Sequence, residues 1–64
     1  MNNMEKEYKN ILNSIRSCIF EKDLYFMYPK INDFEERYNN KLLSKQLKET
    51  VYNQRIHIEF SEMN

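Results

Sequence analysis

A small all-α fold, either a helical hairpin or a three-helix bundle opened by a long N-terminal helix, is what this sequence predicts. Three observations point to it. Apolar residues recur at alternating steps of four and three from Met4 onward, a second set with the same period begins at Ile31, and the chain has no glycine and a single proline, Pro29. Glycine-free chains lack the residue that most readily takes positive φ, which disfavours tight β-hairpin turns and phosphate-cradling loops. Asparagine occupies that region at some cost, and nine are available to do so.

The first seam runs through Met4, Tyr8, Ile11, Ile15, Cys18, Lys22 and Tyr25, and a flanking row of Leu12, Ile19 and Phe26 widens it to the face of a core-packed helix. Asn2 or Asn3 serves as N-cap, and Glu5 and Glu7 suit the positive end of the helix dipole. The reading is a helix over about 3–27. Residues 24–28 form an apolar run that also suits a strand, but Tyr25 and Phe26 continue the rows of Cys18 and Ile19, so the helix is taken to run on to Pro29. Proline disfavours helical geometry in the residue before it and donates no hydrogen bond, so 28–32 is read as a corner.

Asn32 or Asp33 then caps a second helical region over about 32–54, with Asp33, Glu35 and Glu36 in its first turn. Ile31, Phe34, Tyr38 and Leu42 cluster within roughly 80° on a helical wheel, whereas Leu43, Leu47 and Val51 lie on a sector turned by about 140°. One straight helix cannot bury both sets on the same neighbour. A break at Asn39-Asn40, with Asn39 left-handed and Asn40 capping the next helix, resolves the conflict; the alternative is one long helix with two apolar faces. Arg55-Ile56-His57-Ile58-Glu59-Phe60 alternates polar and apolar residues, which allows a short C-terminal β-strand over 55–60 as readily as a fraying helix. Residues 61–64 are expected to be disordered, and the chain 1–64 reads as one small helical domain.

A chain of 64 residues buries only about 60% of its unfolded surface, so folding alone is marginal and a supplement is expected. One cysteine and one histidine exclude an internal disulfide and disfavour structural zinc. Association remains, with another protein or with a second copy as a homodimer. Zero formal net charge gives no general attraction to nucleic acid or anionic membrane. No secretory leader pattern or membrane-length apolar run is read in the sequence, so a cytoplasmic protein without membrane contact is expected. Abundant Asn, Lys and Ile without Ala or Gly is the residue usage of an AT-rich coding sequence, as in low-GC bacteria, their phages and plasmids.

No catalytic, cofactor-binding or metal-ligating set is read in the chain. Cys18 lies on the seam as a small buried hydrophobe, since a reactive thiol wants exposure and a neighbouring base or cation. His57 has no acidic partner at useful spacing and reads as solvent-exposed. Two surfaces carry functional expectations. The sector of Leu43, Leu47 and Val51, with Ile56, Ile58 and Phe60, is assigned to protein interaction, which makes the chain a small non-enzymatic regulator or inhibitor. Lys41, Lys45 and Lys48 recur at helical spacing, Tyr52 and Arg55 continue their face, and no acid lies between Arg37 and Lys48; this is the alternative nucleic-acid surface.

Overall fold

The computed structural model describes residues 2–63, with side chains through Ser61. Four helices follow one another among them: α1 (Asn3–Arg16), α2 (Glu21–Tyr25), α3 (Met27–Tyr38) and α4 (Lys41–Met63). Helices α1, α3 and α4 pack pairwise, and α2 lies against α3 and α4. The result is an elongated helical bundle of 41 × 19 × 16 Å. No strand occurs among the described residues.

Of the two candidate caps it is Asn2 that begins α1: its backbone is extended and its Oδ1 accepts from Glu5 N–H at 2.8 Å. The helix stops at Arg16, well short of 27. Three side chains near its end turn back on the ladder: Ser14 Oγ and Ser17 Oγ donate to the carbonyls of Asn10 and Asn13, and Cys18 Sγ donates to that of Ser14. Thr50 and Ser61 make the same bond inside the unbroken α4, so it weakens a helix without ending one by itself. The freed carbonyls find a partner from far along the chain, because Gln54 Nε2 of α4 donates to Cys18 O at 2.8 Å and, more loosely, to Arg16 O at 3.5 Å. A straight helix over 3–27 could not turn Leu24 and Met27 inward; the bend at 17–20 allows both to be buried.

Pro29 therefore does not end a helix. It is the third residue of α3, where the missing N–H costs nothing within that helix. Its effect falls four residues back, since it cannot donate to Tyr25 O, and the ladder is interrupted between α2 and α3 at Phe26, which keeps right-handed helical angles of φ −71°, ψ −13°. The corner expected at 28–32 is thus replaced by the bend at 17–20 and this joint. Asn32 and Asp33 are interior residues of α3 and cap nothing. Asp33 instead accepts from Arg37 Nε one turn later, at 2.8 Å.

The break at Asn39-Asn40 is present. Asn39 has φ 50°, ψ 40°, and Asn40 Oδ1 accepts from Leu43 N–H at 3.0 Å. Reorientation here turns the Leu43, Leu47 and Val51 sector toward the same interior as Ile31 and Phe34. One core results, with Ile15, Leu24, Ile31, Phe34 and Leu47 almost wholly buried and Cys18, Met27, Val51 and Ile58 around them. Tyr8 and Tyr38 pack on Phe34 with ring centroids 6.4 and 5.1 Å away, within the range of favourable tilted aromatic pairs.

The C-terminal alternation does not make a strand. Residues 55–60 continue α4, where period two scatters the three apolar residues: Ile58 enters the core, Ile56 is half-buried and Phe60 is 62% exposed. Helix wins because Ile58 follows Val51 by seven residues and so continues the core row. The expected disorder over 61–64 is also corrected for 61–63, which lie in α4; Asn64 lies outside the described residues.

Ser44 is fully buried in this core and its Oγ has no hydrogen-bond partner. An unsatisfied buried hydroxyl is a net cost, and alanine is also the better helix former. Ser44→Ala is expected to stabilise the fold by about 1 kcal/mol, read as a higher urea midpoint. A lower midpoint would mean that the hydroxyl is paired in solution.

Candidate interaction surface

The structure redistributes the apolar residues assigned to association. Leu47, Val51 and Ile58 are core residues, and Leu43 packs against them. The assignment of these four to an intermolecular surface is corrected: the Asn39-Asn40 break spends the sector on the chain's own interior. Leu43 and Ile56 are each half-buried, and Phe60 is the one of the six that is exposed, at the end of α4.

Besides Leu42, Tyr52 and Phe60 on α4, exposed apolar side chains gather at the bend after α1. Ile19 is 70% exposed, Phe26 68%, and Phe20 and Tyr25 53% each, so four large side chains crowd the bend between α1 and α2 and the α2–α3 joint. Exposed apolar side chains grouped in this way make the bend a candidate interaction surface. It is also structured. The Lys22 ammonium lies 5.8 Å from the centroid of the Phe20 ring, Tyr25 OH donates to Glu21 Oε1 at 3.2 Å, and the same oxygen forms an ion pair with Arg55, 2.9 Å from its Nε. Sequence reasoning placed Tyr25 and Phe26 on the buried seam. No local signal marks the change of phase, since back-bonding hydroxyls like those of Ser14 and Ser17 also occur at Thr50 and Ser61 inside the unbroken α4.

The basic residues are where the helical spacing puts them. Lys41, Lys45 and Lys48 are exposed on the first two turns of α4, and none forms an ion pair with another described residue. Tyr52, 62% exposed, continues the row. Arg55 is committed, because its Nε also reaches Glu59 Oε1 at 3.2 Å in addition to Glu21. With α4 starting at Lys41, these lysines stand at the positive end of its dipole, the end that favours anions.

Two shallow clefts flank the bundle. One, of about 240 Å³, is bordered by Glu7, Asn10, Lys30, Asp33 and Arg37. Arg37 Nη1 donates to Glu7 Oε1 at 2.8 Å, tying α3 to α1. This hydrogen bond holds the Glu7 carboxyl below its usual value against the opposing effect of burial. Glu7 is thus a structural acceptor that stays ionised. The second cleft, of about 290 Å³, brings together Cys18 and His57, which are distant in sequence. Burial raises the Cys18 thiol and its Sγ donates to Ser14 O at 3.3 Å, so the sulfur is a packing and capping group with little thiolate character. His57 is exposed on α4.

Among the described residues no group of three or more His, Cys, Asp or Glu could hold a metal ion, and no helix is long and apolar enough to cross a membrane. Fold and surface together define a small all-α helical bundle with an exposed aromatic corner and a basic helix start. Comparison of the chain with protein-family models, with curated proteins and with solved structures gives no match.

Proposed function

We propose that this chain is a small cytoplasmic regulatory or inhibitory protein that acts without catalysis, by binding another protein through its aromatic corner. The observation that carries this reading is the concentration of Ile19, Phe20, Tyr25 and Phe26 at one bend, exposed while the chain buries Leu47 and Val51 inside. Exposed apolar groups of this size are the usual anchors of a protein interface, where aromatic residues supply most of the affinity. Glu21 and Arg55 beside them form the polar rim that orients a partner. The mechanism is steric: the bound corner covers a functional apolar surface on the target.

The test uses the full chain as bait in its native host, with wild type and an Ile19→Ser/Phe26→Ser variant compared side by side. Both substitutions are at exposed positions, so thermal unfolding is expected to stay close to wild type. A target identified by mass spectrometry is expected to bind wild type at least about tenfold more tightly than the variant. Equal affinity for a folded variant removes the corner from the interface and the reading with it.

A further inference from the structure

The charge order of α4 runs against its own dipole. In α1 an acid, Glu5, stands in the first turn and a base, Arg16, in the last, as the dipole favours. Helix α4 has neither: its first turn carries Lys41 and no acid, and its last turn carries no base. Lys41, Lys45 and Lys48 make its beginning positive, while Glu59 lies near its negative end. Within one copy Lys41 meets the like-signed dipole end, while Lys45, Lys48 and Glu59 lie just inside the terminal turns.

We propose that α4 pairs antiparallel with α4 of a second copy of this chain, across a two-fold axis passing at Tyr52. Lys45 and Glu59 lie seven residues either side of Tyr52, so the three share one line along the exposed face. A two-fold axis through Tyr52 sets Lys45 of each copy opposite Glu59 of the other and packs the two Tyr52 rings together. Antiparallel pairing also places each basic helix start beside the negative helix end of the other copy, which offsets the mismatch in both. Lys45 forms no ion pair to a described residue, and Glu59 uses only Oε1 toward Arg55, leaving the carboxylate able to accept from a lysine. Tyr52 and Leu42, 62% and 67% exposed, supply apolar surface along the seam. Zero net charge leaves no global repulsion between copies. The aromatic corner is left for a different protein, so this inference goes beyond the function proposed above and is probed by other substitutions.

Sedimentation equilibrium of the full chain over a concentration series at low salt tests it. Wild type is expected to be a dimer that weakens as salt rises. Lys45→Glu and Glu59→Lys, each alone, juxtapose like charges twice per dimer and are expected to raise the dissociation constant by at least about tenfold. An equimolar mixture of the two variants, and the double variant K45E/E59K, are expected to restore the dimer. Should Glu59→Lys lose its fold because Arg55 is disturbed, Tyr52→Asp touches no ion pair and is expected to be monomeric. The proposal is overturned by a monomeric wild type, by charge variants that dimerise as wild type does, or by folded variants that fail to recombine. A monomeric wild type that shifts DNA at low salt, with the shift lost in K41E/K45E/K48E, overturns it in favour of the nucleic-acid reading.

Discussion

Leu47→Asp is expected to unfold the protein. Leu47 has no exposure and sits where α4 meets α1 and α3, so the substitution removes a core side chain and leaves a carboxylate without a partner. Truncation of a buried leucine alone costs about 2–5 kcal/mol, and an unpaired buried charge adds more. A domain of this length has about 3–10 kcal/mol in total, so the loss is comparable with the whole. Far-UV circular dichroism is expected to show loss of helix at room temperature. Asn32→Asp is the control, because Asn32 is exposed on α3 and its replacement should move stability by no more than about 0.5 kcal/mol. If Leu47→Asp stayed folded and only lost a partner, the burial of the Leu43, Leu47 and Val51 sector would be wrong and an intermolecular role would return.

The second large effect is expected at Asn39. Its φ of 50° and ψ of 40° lie in the left-handed region, which a β-branched residue enters only with strain of about 1–2 kcal/mol. Asn39→Val is expected to destabilise the fold by that amount, and Asn39→Gly to leave it unchanged or slightly more stable. Chemical denaturation of the two variants distinguishes strain from lost side-chain contacts, since both substitutions remove the amide. More depends on this residue than its local strain. If α3 and α4 fused through it, the Leu47 sector would point about 140° away from Phe34, and the two halves of the core could not meet.

These two sites separate what helical phase decides from what the assembled bundle decides. The conflict between two apolar sectors was legible because it is a matter of helical phase and needs no knowledge of neighbours, and the break at Asn39-Asn40 was one of its two solutions. The consequence was not legible, because whether a rotated sector faces inward or outward depends on the direction taken after the break. The same limit applied to the first seam. Its period runs on through Tyr25, yet Ile19, Tyr25 and Phe26 are exposed, because the chain bends at 17–20 and the phase restarts. The lysines of α4 were legible as a face, but their relation to the helix dipole required knowing that the helix begins at Lys41.

By itself the sequence determined the all-α class, an asparagine cap at residue 2 or 3, the conflict of apolar sectors that a break at Asn39-Asn40 resolves, and the burial of Ile15, Cys18, Ile31 and Phe34. Each rests on periodicity or on hydrogen bonds within one turn, which neighbouring residues decide among themselves. Only the tertiary structure decided where α1 ends, because the carbonyls there are capped by Gln54 from α4, 36 residues away from Cys18. It alone decided that the Leu47 sector is core and the aromatic bend is surface. Burial is a property of the assembled bundle, and the same apolar side chain stabilises an interior or waits for a partner according to what the rest of the chain places against it.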